Sequence, residues 1–370
     1  MKFSCEKAVL SEAISTCIHA VSTKSTIAVL EGLLISVGTS QVTMCGYNFK
    51  TGIRKTFSAN IAEKGDIVLS AKILSDIVRK LPDDLIEISA DDHFMTTIHC
   101  GLSEFNILGA SAEEFPELPD VVKQNGISLP CSTLKNMIAN TVFAVSDNEN
   151  KPIHTGSLFE VAAKELTVVS VDGYRLALAR EAVECSEKQT LNFVVPGETL
   201  KEINRILPES DDQMVAIYPE RKHALFEIED TLITTRLLEG EFLNYRNAIP
   251  EDNPIHLTID VKNIIDCVER VSLIISERLK NPVRCCFEEE SLKISCTTTL
   301  GRAYDECRIS PCPEKIEIGF NNRYLLDALR ACPEDQVLLE LKSSLSPCVI
   351  RPLEGNKFLY LVLPVRLKAE

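Results

Sequence analysis

The sequence predicts an α+β protein of three similar domains, each with two helices packed on antiparallel sheet. Three observations predict it. The chain has 370 residues, more than one hydrophobic core normally serves. One pattern recurs three times: a short apolar strand, an amphipathic stretch of about three turns, then a proline. The three prolines, Pro82, Pro208 and Pro333, lie 126 and 125 residues apart, each with an arginine three positions before it: Arg79, Arg205 and Arg330. That period is far longer than a solenoid repeat, so each copy is large enough to be a domain. The limits read from it are 1–122, 127–250 and 253–368.

In chain order, each copy opens with a helix: Lys7 to Val21, Ser132 to Phe143, and Asp260 to Ile275. The last carries Val261, Ile264, Ile265, Val268, Val271 and Ile275 at helical spacing. The second helices run Ala71 to Leu81, Gly197 to Leu207, and Asn321 to Cys332. They follow the strand segments Ile67-Val68-Leu69, Phe193-Val194-Val195 and Ile316-Glu317-Ile318, and their apolar pairs (Leu74 and Ile77, Leu200 and Ile203, Leu325 and Leu329) face a core. Between the helices, 33–37 with 41–44, 157–161 with 166–169, and 284–287 with 292–296 read as hairpins. The final stretch, Lys357 to Leu367, is apolar and rich in strand formers, so it is read as a closing strand up to Leu361.

Composition narrows the function classes. Apolar residues make up 45% and charged residues 25%, ordinary for a soluble protein. The N-terminus lacks the apolar core of a signal peptide and no run reaches membrane-spanning length, which gives an expected cytoplasmic location. The fourteen cysteines form no Cys-x-x-Cys. Several (Cys17, Cys45, Cys267, Cys296) occupy apolar-patterned positions, as small hydrophobes in a reducing compartment do. Neither a metal nor a cofactor is expected.

The net charge is −15, which taken alone argues against a nucleic-acid partner. The charges are unevenly spread, however. The six expected helices hold eleven basic and eight acidic residues, a net +3, which leaves −18 for the rest. If the helices share one surface, that surface is a weakly basic strip on an acidic protein, suited to loose phosphate contact; otherwise they are ordinary mixed-charge helix faces.

Catalytic signatures are missing. No phosphate-cradling glycine loop and no nucleophile elbow occurs. The acidic pairs Asp83-Asp84, Asp91-Asp92 and Asp211-Asp212 fall at expected turns, where charge is solvated. The clearest local motif is Val171-Asp172-Gly173-Tyr174-Arg175-Leu176, in which Asp-Gly between two apolar strands signals a hairpin. Glu241-Phe242-Leu243-Asn244-Tyr245-Arg246 echoes Glu114-Phe115-Pro116-Glu117-Leu118-Pro119 one repeat earlier.

Taken together and in order, Asp172-Gly173-Tyr174-Arg175-Leu176-Ala177, Glu241 to Arg246, Glu317-Ile318-Gly319-Phe320-Asn321 and Leu363-Pro364-Val365-Arg366-Leu367 resemble the bacterial DNA polymerase III β subunit family of sliding clamps. The resemblance covers the whole length. It implies the DNA clamp fold: two chains joined head to tail into a ring of six domains, helices lining a hole for duplex DNA. The function implied is that of a processivity subunit with no catalytic residues, a homodimer that tethers the polymerase III α subunit, the clamp loader and other proteins carrying a short clamp-binding motif.

By matching positions, the resemblance places Lys24, Lys72, Arg79, Lys80, Lys201 and Arg205 toward DNA; Gly197 and Glu198 stand where further basic residues are common. It pairs Phe105 and Ile107 of one chain with Ile274 and Ile275 of the other. It assigns a partner-peptide pocket to His154, Val171, Gly173, Tyr174, Arg175, Leu176, Leu243, Asn247, Ala248, Pro347, Leu361, Val362, Leu363, Pro364, Val365 and Arg366. Val171, Leu243 and His154 depart from the threonine, proline and leucine common there, so the preferred peptide is expected to differ. Val362 to Arg366 are expected to form one wall, opposite Tyr174-Arg175-Leu176, with Lys368-Ala369-Glu370 trailing beside it. The rival readings are a nucleic-acid-processing enzyme with a cryptic site and a scaffold protein that does not encircle DNA.

Overall fold

The computed structural model describes residues 1–22, 24–186, 188–276 and 281–367. The Lys368-Ala369-Glu370 tail lies outside them. The six expected helices are present: α1 (Lys7–Cys17), α2 (Ala71–Lys80), α3 (Cys131–Ala139), α4 (Gly197–Ile206), α5 (Val261–Ser272) and α6 (Asn322–Arg330). The ends are shorter than the apolar pattern suggests. After α1 and α3 the chain tightens into 3-10 turns, Ile18–Ala20 and Val142–Ala144, a common way to finish a helix. Starts follow local chemistry: Ser70 accepts from the Ile73 amide, Asp260 from Asn263, and Asn321 from Arg323 and Tyr324, satisfying donors that have no partner within the helix.

The chain forms two compact units, and each takes half of the central repeat. The first comprises Met1–Leu134 with Glu202–Leu237; the second comprises Lys135–Lys201 with the chain from Leu238 onward. The cause is strand pairing across repeats. In the first unit, Thr231–Arg236 pairs antiparallel with Thr51–Phe57, which joins four strands from each of two repeats into an eight-stranded sheet. A five-stranded sheet completes this unit and ends on Ser103–Leu108.

The second unit repeats the arrangement. Here Arg175–Ala182 pairs with the closing strand Phe358–Val362, again giving eight strands. Both strands are apolar at consecutive positions because the sheet is covered on both faces. Alternate residues divide between two clusters. Ala177, Phe358, Tyr360 and Val362 join the main core with α5 and α6, whereas Leu176, Leu178, Leu359 and Leu361 pack on the other face.

One expected hairpin is corrected. The segments 284–287 and 292–296 lie in a single strand, Val283–Thr298, and both pair with the return strand Gly301–Phe320. Irregular register at Phe287/Glu289 and Glu289/Ser291 absorbs the break.

Candidate functional site

The second unit carries an apolar cluster on the face of its sheet away from the helices, the candidate groove. The floor is a cluster of Val171, Leu176, Leu178, Leu361, Val349 and Leu359, against which Leu363, Phe242 and Ile153 are partly buried. Leu176 and Leu361 are direct cross-strand partners and both lie within 4% of full burial. Because alternation fixes their side, the residues between them point to the main core. Val362 is therefore fully buried in the helix-side cluster, and its side chain does not face the groove.

The rim is built by the Asp-Gly turn. Asp172 Oδ1 accepts from the Tyr174 amide at 2.8 Å and the Arg175 amide at 3.0 Å. Gly173 sits at φ +91° with open space around it, a conformation glycine adopts without cost. The turn holds Tyr174 out, 60% exposed, with its ring stacked on Tyr324 at 5.8 Å. Arg175 lies beneath, its side chain bound to Asp172 at 3.0 Å and Asp327 at 2.5 Å and set over the rings of Tyr324 and Phe143. These groups open into a polar cleft of about 920 Å³ that Asn321, Arg323 and Arg330 also line.

The terminal segment does not stand opposite Tyr174-Arg175-Leu176. It lies beside it as the next strand: Arg175 pairs with Val362, and the Leu363 amide donates to the Tyr174 carbonyl at 2.9 Å. Beyond Pro364 the chain turns along another strand, where the Val365 amide donates to Gly319 O at 2.8 Å. Val365 and Arg366 are exposed there.

The opposing side is the loop Leu238–Ile249. Tyr245 is buried and donates its hydroxyl to Glu160 at 2.7 Å; Arg246 pairs with the same carboxylate and covers the Tyr245 ring at 4.7 Å. Burial raises the Glu160 carboxyl, but Arg246 and Tyr245 outweigh it and hold the group below its ordinary value. Burial and then Glu160 push the Tyr245 hydroxyl up to about 12. So anchored, the loop exposes Leu243, Asn247 and Ala248. His154 packs edge-on against Phe242 at 5.5 Å, and burial, then Lys151, lowers its pKa. Pro347 is half-buried just before the strand Cys348–Pro352.

Sequence reasoning missed Tyr324, Asp327, Phe143 and Val349. Tyr324 and Asp327 read as ordinary positions of an amphipathic helix, since only the packing of α6 against the Asp-Gly turn gives them a role.

The other predicted residues are placed as follows. Lys72, Arg79 and Lys80 are exposed on α2, and Lys201 and Arg205 on α4; Lys24 is exposed after the first helix. Arg79 and Arg205 each pair with an acid one turn earlier, Asp76 and Glu202, both at 2.7 Å. Phe105 is 38% exposed on the last strand of the five-stranded sheet, next to half-buried Ile107. Ile274 and Ile275 are half-buried after α5.

Among the described residues no group of three or more His, Cys, Asp or Glu is placed to hold a metal. All fourteen cysteines are free thiols. Burial pushes the Cys307 and Cys332 thiols up to about 12, which makes them poor nucleophiles.

Repeated α+β modules joined by sheets that run across repeats, with an apolar cluster where two repeats pair, define a modular scaffold. The DNA polymerase III beta subunit family matches in all three parts: its N-terminal domain over residues 1–119, its central domain over 128–244 and its C-terminal domain over 246–366. The beta sliding clamp of Bacillus subtilis (strain 168) is 31% identical over 377 residues, 99% of this chain and 100% of the relative. Among solved structures, a putative DNA polymerase III beta subunit from Eubacterium rectale has TM-score 0.94 at 36% identity over 99% of both chains. The DNA polymerase sliding clamp from Bacillus subtilis has TM-score 0.95 at 31% identity over 100% of both. The chain belongs to the DNA polymerase III beta subunit family. It is a DNA sliding clamp of replication, a processivity component and not itself a catalyst.

Proposed function

We propose that two copies of this chain close head to tail into a ring around duplex DNA, and that each copy offers the groove of its second unit to short peptides of the polymerase, the clamp loader and other partners. The proposed domains are 1–122, 127–250 and 253–368, and the proposed location is the cytoplasm. The single observation that carries the peptide reading is the cluster of Val171, Leu176, Leu361 and Leu363 on the face of the sheet away from the helices. An apolar floor with a few polar groups at its rim is the ordinary form of a site for a short ligand.

Lys24, Lys72, Arg79, Lys80, Lys201 and Arg205 are the proposed DNA contacts. Exposed cations on helices give sequence-independent attraction without a fixed register, which permits sliding while the closed ring prevents escape. The proposed dimer contact joins Phe105 and Ile107 to Ile274 and Ile275. Leu108, 70% exposed, and Leu273, 83% exposed, flank these residues. A sheet that ends on an apolar-faced strand leaves main-chain groups open to a second chain.

The test is topological. Clamp loaded onto nicked circular DNA by its loader should stay bound through gel filtration at high salt and be lost after the circle is cut. Equal loss from circular and linear DNA would overturn encirclement.

A further inference from the structure

Glu317-Ile318-Gly319-Phe320-Asn321 is one of the four segments on which the family resemblance rests, yet it contributes nothing to the apolar floor of the groove. Its place is beneath residues 363–367. That stretch is held by main-chain bonds to two different strands: the Leu363 amide donates to Tyr174 O at 2.9 Å, and the Val365 amide to Gly319 O at 2.8 Å. Pro364, between them, has no amide to donate and a fixed φ, so the stretch crosses as a short strap. At one side of the strap Leu363 packs on the groove floor. At the other, Leu367 lies half-buried over Gly319.

Gly319 is outside the left-handed region, so space and not φ is what requires glycine there. A Cβ would stand 2.5 Å from Val365 O, 2.7 Å from Leu367 Cδ2 and 2.9 Å from Leu367 Cγ. Non-bonded atoms do not approach so closely; a glycine within a strand marks just such a close backbone approach. Adding a methyl forces one partner to move, and the packing decides which. The strand is fixed. Ile318 and Phe320, on the opposite face, are 0% and 1% exposed in the main core, and Asn321 caps α6 by accepting from the Arg323 and Tyr324 amides. Shifting them would open voids in a close-packed interior. The strap is the weaker side: Val365 is 38% exposed and Arg366 is exposed. It is tied there by the Val365 bond and the contact of Leu367, so the strap yields.

We infer that Gly319 is a positioning residue of the groove: it seats the strap 363–367, and a side chain at 319 unseats the strap and weakens peptide binding without touching the peptide. This rests on the reading of the groove as the peptide site. The link is short, because Leu363 is two residues from Val365 and Pro364 between them is stiff. A strap lifted from Gly319 no longer holds Leu363 against the floor. The wall must then be ordered when the peptide arrives, and that ordering is subtracted from the affinity. The coupling is reciprocal, so a bound peptide in turn holds the strap on its seat.

The test uses the full-length chain and a fluorescein-labelled peptide carrying one glutamine and two apolar anchors, followed by anisotropy. Gly319→Ala should bind about five- to tenfold more weakly. Val365→Pro removes the amide that Gly319 O accepts, unseating the strap from its other side, and should lose a similar amount. The double variant should lose no more than either single one, because both act through one seat. Hydrogen exchange of the peptide-free chain gives a readout that needs no partner. The Leu363 amide should exchange faster in both single variants, while the Ile318 and Phe320 amides keep the rate of the unaltered chain. If the unaltered chain does not bind the peptide, the peptide reading fails and exchange alone decides the seat. Unchanged Leu363 exchange in Gly319→Ala, or faster exchange at Ile318 and Phe320, would overturn the inference. So would losses that add in the double variant, or full affinity in Gly319→Ala for a peptide that the unaltered chain binds.

Discussion

Arg175 Nη1 donates to Asp327 Oδ2 at 2.5 Å, and this pair departs from the threefold repeat. In the first two copies the acid six residues before the proline, Asp76 or Glu202, holds the arginine one turn later, Arg79 or Arg205. In the third copy that acid is Asp327. It serves the rim of the groove instead, and Arg330 pairs with Glu269 of α5 at 2.6 Å. A surface ion pair of little consequence has become a tether between α6 and the Asp-Gly turn. Arg175 is held on both sides, its side chain only 10% exposed.

Asp327→Asn should therefore weaken binding of a clamp-motif peptide by about tenfold, since a charge-assisted hydrogen bond contributes about 1.5–3 kcal/mol. Anisotropy titration reads the change, and thermal melting reports the stability cost separately. Unchanged affinity would show that the rim tolerates a free Arg175.

Leu363→Ala should lower peptide affinity by about 1–2 kcal/mol through lost apolar burial without altering the dimer. Leu363 is only half-buried, so the fold should survive. Isothermal titration and sedimentation, run on the same sample, separate the two effects; a change in dimer stability with peptide affinity intact would contradict the assignment.

For DNA, the combined change of Lys24, Lys72 and Lys80 to Ala should shorten sliding-bound lifetimes on circular DNA and flatten their salt dependence. Each phosphate contact removed should lower the log–log salt slope by about 0.9. An unaltered slope would mean that these side chains do not meet phosphate.

At the proposed ring contact, Ile274→Ala with Ile275→Ala should raise the dimer dissociation constant, each lost CH₂ costing about 0.8 kcal/mol of burial. Ile275 also packs on the main core, so Phe105→Ala on the other surface is the cleaner companion. If sedimentation shows the same dimer in both variants, the contact lies elsewhere.

Glu160 makes the loop Leu238–Ile249 acid-sensitive. Its folded pKa lies below its ordinary value, so the stability it contributes is present above the unfolded pKa, about 4.3, and is lost as pH falls through the lower folded value. The melting-temperature gap between the unaltered chain and Glu160→Gln should be widest near neutrality and close on acidification. A gap independent of pH would mean that the carboxylate charge is not what holds Tyr245 and Arg246.

Much of the site was legible in the sequence as a set of segments. The Asp172-Gly173 turn announced itself because few residues tolerate positive φ, and the closing strand because five consecutive apolar residues need cover on both faces. Their adjacency was not legible. Strand partners 187 positions apart, such as Arg175 and Val362, leave no local signal, so the segments were expected to face one another when they lie side by side. Val362 and Leu361 look equivalent in a list of apolar residues, and only register decides which faces the groove.

By itself the sequence determined the α+β class, the threefold repeat, all six helices and the Asp172-Gly173 turn. These depend on periodicity, capping and turn chemistry, which act over a few residues. The tertiary structure decided that sheets join across repeats, that the central repeat is divided between two compact units, and that Asp327 serves Arg175. Those outcomes depend on which strand edges meet, and edge pairing is set by long-range burial that no short window of sequence encodes.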